Sequence, residues 1–494
     1  MTPKLLFLYS CSLSSTRYEL LFPCYCSLTS TLHEELIRNP LGTAMSYIEM
    51  LPRELSDAIY EYADLGLSDL SRLSRTSKDI RQSLLPEMYE SITMVWNGKQ
   101  LPSDAPRLGR LVRSLINNPK LRALIKNVSL QAESYPAFRD VKATRKQEME
   151  GGRQPYVRID KPEAGLKLVG ATLDRTLNKM QLANIPRWKK ALSEGNTDAT
   201  IALLLSQCTQ VESLKLGDRI LSNNDFVPEM LRHICDASGS STSTTMTKFA
   251  RLQHVKLAAD HHVEWSFLQK LRYDISVPLA FFQFPAMEEI TAWVPDVYKD
   301  KRQRDTSILE LPWSKSMPAT MTHLRVLRLR ATLLSPKSLE AMLLRVPCLT
   351  SLEYDYWADY QNAPFDCAQL GRALVPLRRT LRHLTVAFTS FVHYPVDANR
   401  ELGDYWLAGS IGPLSEFTKL ETLEIETAVL FGWKRIQTVV LPALQLKTVH
   451  LTDFIEGFAE YEWEDLRAEE LGLGCEVIVD HISSRSFFRT APTV

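Results

Sequence analysis

One spacing recurs along most of this 494-residue chain and restricts what it can fold into: three apolar residues at i, i+3 and i+5. It occurs as Ile125/Val128/Leu130, Val211/Leu214/Leu216, Leu252/Val255/Leu257, Leu324/Leu327/Leu329, Leu349/Leu352/Tyr354, Leu381/Leu384/Val386, Leu420/Leu423/Ile425 and Leu446/Val449/Leu451, with Met287/Ile290/Ala292 as a weaker version. The last two members of each triplet flank a single residue, which is the period of a strand with one buried face. The first member is an apolar anchor on the approach to that strand. Helical stretches lie between triplets. "SPKSLEAMLLRVP" puts Leu339, Met342, Leu343 and Val346 on one face, with Ser335 as the cap and Pro336 in the first turn. "TDATIALLLSQC" does the same with Ile201, Leu204, Leu205 and Cys208. A strand–loop–helix unit cannot bury its apolar face alone, so such units stack and their strands run parallel. The expected fold class is α/β, with an irregular solenoid and a parallel sheet over residues 96–494.

The triplet resembles the L-x-x-L-x-L core of a leucine-rich repeat. The spacing is loose, because Leu327 and Leu352 are 25 residues apart whereas Leu214 and Val255 are 41 apart, against about 20–29 in regular repeats. The asparagine of the repeat family is also missing, its places being taken by Thr332, Trp357, Thr389 and Ala428. The resemblance therefore implies a degenerate array. Three polar stretches, 139–162, 236–247 and 296–318, read as loops inserted between its units.

Ahead of the array stands "EMLPRELSDAIYEYADLGLSDLSRLSRTSKDIRQSLLPEMYESI", Glu49 to Ile92. Pro52 suits the first turn of a helix bearing Leu55, Ile59 and Tyr62, which Gly66 closes. Ser68 is the expected cap of a second helix with Leu70 and Leu73, and Thr76-x-x-Asp79 has the spacing of a capping box for a third with Ile80, Leu84 and Met88. Three short helices bury little surface, and a domain this small commonly leans on a partner. The stretch resembles an F-box in Leu51-Pro52-x-Glu54-Leu55, in Ile59 and Tyr62, in Leu70 and Leu73 of "SDLSRLSRTSK", and in Leu84-Leu85-Pro86-x-x-Tyr89. The likeness spans residues 45–95, about a tenth of the chain. It implies a segment that hooks a Skp-type adaptor, and through it a cullin, with Leu51, Pro52, Leu55, Ile59, Leu70 and Leu73 as adaptor contacts. Residues 1–44, whose apolar run Leu5 to Tyr9 is too short for a signal segment or a membrane span, read as a poorly ordered extension that a start at Met45 would omit.

Composition points the same way. The 58 basic and 58 acidic residues cancel, so no net field draws the molecule to nucleic acid or an anionic membrane, and neither is an expected partner. Eight cysteines without a CxxC pair suggest a reducing compartment, cytoplasmic or nuclear. Catalytic motifs are missing: "LGLGC" lacks the third glycine of a dinucleotide loop, "HEEL" lacks its second histidine, and no phosphate-cradling loop or nucleophile elbow occurs. The adjacent pair His261–His262 points two ways, and the Asn127-Val-Ser129 sequon falls inside a strand. The acidic, aromatic run Asp453 to Glu470 reads as a solvated helix. No cofactor or metal is expected, and the chain is not expected to be an enzyme. A hydrolase assembled from dispersed residues such as Cys235, Asp260 and His261 has no motif behind it.

Residues between the buried strand positions should face outward together. In order they include Lys215, Lys256, Arg328, Arg330, Glu353, Asp355, Glu424 and Glu426, changing from basic to acidic near residue 340. These are the expected substrate contacts. The resemblance to both families implies the substrate-recognition subunit of an SCF-type ubiquitin ligase, with a protein substrate on the repeat array. A repeat scaffold that binds proteins without any role in ubiquitination is the alternative.

Overall fold

The computed structural model describes residues 66–96, 101–132, 170–217, 220, 225–239, 249–257, 278, 281–282, 284–293, 320–358, 365–390, 407–432, 446–452 and 476–480, less a few single positions within these spans. The chain divides into two compact units, Met1–Met88 and Tyr89–Val494.

The larger unit is mixed α/β and is built on a parallel sheet. Its strands are β1 (Ser91–Trp96), β2 (Asn127–Ala132), β3 (Ser213–Leu216), β4 (His254–Leu257), β5 (Glu289–Trp293), β6 (Val326–Thr332), β7 (Ser351–Ala358), β8 (His383–Ser390), β9 (Thr422–Glu426), β10 (Thr448–Thr452) and β11 (Glu476–Asp480). Within this sheet each strand pairs in parallel with its neighbours in that order, so spatial order follows the chain from β1 to β11.

The triplets explain the register. Their central members stand side by side from Val128 through Leu214, Val255, Ile290, Leu327, Leu352, Leu384 and Leu423 to Val449. Their last members align in the same way two residues on. All three positions of every triplet are buried, including the weaker Met287/Ile290/Ala292. A slip of one residue would turn a whole strand's apolar set to the opposite face, so the buried ladder fixes the pairing. The approach to each strand is equally regular. The carbonyls of Lys126, Glu212, Gln253, Glu288, Arg325, Thr350, Arg382 and Glu421 each accept two successive N–H groups from the start of the next strand, at 2.7–3.3 Å.

In the smaller unit the described helices are α1 (Leu67–Leu73) and the start of α2 (Lys78–Glu90), with Leu70, Ile80 and Leu84 buried together and Leu73 and Met88 packed against them. Two capping expectations are corrected here. Gly66, not Ser68, occupies the N-cap of α1, without a side-chain cap bond. Before α2, Ser77 Oγ accepts from Asp79 N–H at 3.1 Å, while Thr76 Oγ1 turns back to donate to Leu73 O. The first expected helix, with Leu51, Pro52, Leu55 and Ile59, lies outside the described residues, as does the 1–44 extension.

Along the larger unit run α3 (Leu101–Asn117), α4 (Pro119–Arg122), α5 (Ala171–Met180), α6 (Ile185–Glu194), α7 (Thr197–Gln207), α8 (Phe226–Gly239), α9 (Pro336–Leu343), α10 (Cys367–Leu374) and α11 (Thr427–Phe431). Four of these helices, α6, α7, α9 and α10, start at short polar side chains that cap them. Asn184 Oδ1 accepts from Arg187 N–H, Asn196 Oδ1 from Ala199 N–H, Ser335 Oγ from Ser338 N–H and Asp366 Oδ1 from Gln369 N–H. Between α6 and α7, Gly195 takes the left-handed conformation (φ 79°) that lets one helix end and the next begin one residue later. Helix α7 packs on α3 and α8 and is buried along its entire length. Helix α8 continues to Gly239, so the first residues of the expected 236–247 insert are helical instead. The rest of that insert, and those at 139–162 and 296–318, fall outside the described residues.

Without the repeat asparagine, other groups satisfy the turns. Thr332 is fully buried and its Oγ1 accepts from Leu334 N–H at 3.1 Å. The Tyr354 hydroxyl, also buried, donates to the Leu334 carbonyl. Tyr354, Tyr356, Phe365 and Phe388 form an aromatic cluster under β7 and β8, with centroid separations of 4.6–6.2 Å. Next to it Phe365–Asp366 pairs in parallel with Leu407–Ala408.

Candidate recognition surface

The side chains between the buried ladders are presented on one face of the sheet, because successive residues of a strand point to opposite sides. Their register is continuous: Ser129, Lys215, Lys256, Thr291, Arg328, Glu353, Thr385, Glu424 and His450 follow one another, one per strand. The sheet thus brings together residues that lie more than three hundred positions apart in the chain. Lys215 and Lys256 are direct neighbours and both are half-buried.

The centre of this row is an ion-pair block. Arg328 is paired with Glu289 and lies with its Nε 3.5 Å from Glu353 Oε2, while Arg330 Nε donates to Glu353 Oε1 at 3.0 Å. Two cations and two carboxylates therefore satisfy one another, and the boundary between basic and acidic halves is a neutral seam. Alone, such half-exposed pairs contribute on the order of 0.2–1 kcal/mol each. Their effect here is to hold four long side chains in place.

Toward the acidic side, Glu424 accepts from Thr385 Oγ1 at 3.4 Å, with His450 Nδ1 3.8 Å away. Asp355 is half-buried beside Ala387. Glu426 departs from expectation: it is 2% exposed and contributes nothing to an open surface. The strand ends there and α11 begins at Thr427, so alternation stops governing its direction.

Glu289, Arg382, Glu421 and Lys447 were not among the expected surface residues. Arg382 and Lys447 both pair with Glu421, at 3.0 and 2.6 Å, and the Lys447 hydrogen bond is the main cause holding the Glu421 carboxyl below its usual range. A signal for Glu289 exists in the sequence: it has the same strand parity as Thr291. Arg382, Glu421 and Lys447 immediately precede the strands, where parity gives no guide.

Of the expected adaptor contacts, Leu70 is 4% exposed inside its own helical cluster and Leu73 packs partly against that cluster. Leu51, Pro52, Leu55 and Ile59 lie outside the described residues, together with Asp260 and His261. Cys235 falls within α8. Burial pushes the Cys208 and Cys367 thiols up to about 12, which leaves them protonated and weakly nucleophilic. Among the described residues there is no group of three metal-binding side chains, and no helix is long and apolar enough to cross a membrane. The sequence matches no family model and no curated protein.

Proposed function

We propose that this chain is the substrate-recognition subunit of an SCF-type cullin-RING ubiquitin ligase, in which an N-terminal F-box binds a Skp-type adaptor and a degenerate leucine-rich-repeat solenoid receives a protein substrate. The supporting observation is the sheet in chain order, with the i, i+3, i+5 residues buried in register and a polar row on its face that is open except at Thr291, which is buried. Repeat receptors are built this way because each unit supplies one strand to an extended surface. The "LPREL" and "SRLSRTSK" segments supply the adaptor half of the reading. Burial of Leu70 within the chain's own helices favours a second reading, a protein-binding scaffold whose N-terminal helices only pack.

The deciding experiment is titration of the full chain with a purified Skp-type adaptor, beside the Leu51→Ala/Leu55→Ala variant. Alanine preserves helix propensity, so a loss reports the anchors. Tight binding to the parent and at least tenfold weaker binding to the variant is the expected result. Absence of binding to the parent chain would sink the ligase reading and leave the scaffold.

A further inference from the structure

The turns that lead into β6 to β10 carry far more cations than carboxylates. Arg325, Thr350, Arg382, Glu421 and Lys447 stand side by side along this edge of the sheet, because each N–H donates to the carbonyl of the residue before it in that series, at 2.7–2.8 Å. The turns just ahead of them add Arg345, Arg378, Arg379 and Lys419. These turns are tied together, since Arg325 Nη1 donates to Cys348 O at 3.0 Å and Thr380 Oγ1 to Pro347 O at 3.1 Å. The carboxylates in the described turns are Glu416, which pairs with Arg378 at 2.9 Å, and Glu421, shared by Arg382 and Lys447. Arg325, Arg345, Arg379 and Lys419 meet no carboxylate among the described residues, and all but the half-buried Arg345 are exposed. Glu288, ahead of β5, closes the basic stretch on one side. Other acids near it are engaged, Glu340 by Gln369 and Asp366 by Arg372, or lie within strands, as Glu353 and Glu424 do. Two apolar side chains stand beside this edge. Leu344 and Val375 occupy the C-caps of α9 and α10, which pack on each other, and they are 59% and 46% exposed.

From this arrangement we infer that the strand-entry edge of β6 to β10 is a second docking surface, separate from the polar row, and that it takes an extended acidic peptide segment with apolar residues among its carboxylates. Guanidinium groups match carboxylates two hydrogen bonds at a time, and three of the four unneutralised cations are arginines. Leu344 and Val375 offer the apolar contact that a purely ionic ligand would leave unused. A uniform polyanion fits less well, because its phosphates would also fall against Glu416 and Glu421. The chain's balance of 58 basic and 58 acidic residues also gives it no long-range pull toward nucleic acid or an anionic membrane. A peptide can place its carboxylates at discrete positions and avoid both glutamates. From Arg325 to Lys447 the ladder makes four strand steps, which at about 4.8 Å each is about 19 Å. An extended chain covers that distance in about six residues at roughly 3.3–3.6 Å each. The inference holds whether the chain serves a ligase or a scaffold, since it uses neither the adaptor contacts nor the polar row.

The test uses the full-length protein and a short fluorescent peptide of alternating glutamate and leucine, measured by anisotropy at low ionic strength. Counterparts replace every glutamate by glutamine or every leucine by serine. A single-stranded RNA of similar length and vesicles of mixed phosphatidylserine and phosphatidylcholine serve as polyanion probes. The glutamate–leucine peptide should bind at least about fivefold more tightly than either counterpart, and added salt should weaken it. Arg345→Glu/Arg379→Glu should cost it at least about fivefold, whereas Lys120→Glu/Lys179→Glu, an equal charge change at exposed sites on α4 and α5, should leave it within about twofold. Leu344→Ser/Val375→Ser should remove the preference for leucine over serine. Thermal midpoints show whether each variant is folded, and Arg345→Gln/Arg379→Gln replaces the double reversal if that variant is not. No binding of the peptide, equal binding of the glutamine counterpart, or equal losses in the two charge-reversed variants would overturn the inference. Tighter binding of RNA or vesicles, lost on changing Arg345 and Arg379, would overturn the peptide assignment in favour of that polyanion.

Discussion

Asp198 shows how much a single buried charge can organise. It sits in the first turn of α7 at 8% exposure, and its two carboxylate oxygens accept from the N–H groups of Asp225, Phe226 and Val227 at 2.9, 2.7 and 3.0 Å. One side chain thereby satisfies the open start of α8 from another element. Burial pushes the carboxyl up to about 6, against the opposing pull of the three N–H donors. Its pKa is thus higher in the folded chain than in the unfolded one, so between about pH 4 and 6 the native state binds the extra proton. Stability from this group is greatest below that window and falls as pH rises through it, by about 3 kcal/mol for a shift of this size. Arg187 moderates the local field by pairing with Asp225 and Glu229, at 2.8 and 3.0 Å. Asp198→Asn keeps an acceptor but loses the charge. Urea denaturation from pH 4 to 7 should show the parent losing stability relative to the variant as pH rises. Parallel curves would mean that Asp198 is not the titrating group. The sequence does not disclose this role, because Asp198 is 27 residues from the amides it caps and reads locally as an ordinary first-turn acid.

At the scale of elements, the tightest joint is between α10 and the segment that follows Leu407–Ala408. A Cβ built on Gly371 would lie 1.9 Å from the Ile411 carbonyl oxygen. The carbonyl has no room to retreat, since Ile411 N–H is itself held by Val429 O at 2.9 Å and Gly409 and Gly412 take positive φ on either side. In an open helix Gly→Ala stabilises by about 0.8–1 kcal/mol. At Gly371 the sign should reverse, because the added methyl meets backbone and not a flexible side chain. Gly371→Ala should lower the thermal midpoint by several degrees, and an unchanged or raised midpoint would show that α10 can slide away. Elements were legible in the sequence where a local pattern and burial agree. The α9 cap at Ser335, the apolar face of α9 and every triplet strand follow from spacing alone, whereas α7, expected to bury one face, is buried on all sides. Strand β1 and helices α5 and α6 were missed. The residue three before Ile92 is Tyr89, which is only half-buried and still belongs to α2, and α5 and α6 fill the long gap between the β2 and β3 triplets. The candidate surface was legible only in part: Lys215, Lys256, Arg328, Arg330, Glu353 and Glu424 follow from strand parity, whereas the pairing that neutralises the middle three depends on neighbouring strands.

For the whole of the larger unit, the important property is that contacts between strands are sequential. Each described strand of the large sheet hydrogen-bonds to its chain neighbours and to no other strand. Stability in such an array is close to a sum of unit and nearest-neighbour contributions, so damage should stay local. A globular core would instead pass a deletion to every element at once. Leu214 separates these cases, being 1% exposed and flanked in register by Val128 and Val255. Leu214→Ala leaves a cavity that costs about 2–5 kcal/mol. By hydrogen exchange, amides of β2, β3 and β4 should open faster by one to several orders of magnitude, about tenfold for each 1.4 kcal/mol. Amides of β8 and β9, five or more strands away, should keep their parent rates. Equal acceleration across β2 to β10 would mean that the sheet unfolds as one cooperative block. In that case a partner bound at either end of the polar row would stabilise the entire sheet, whereas sequential coupling confines the effect to the strands beneath it.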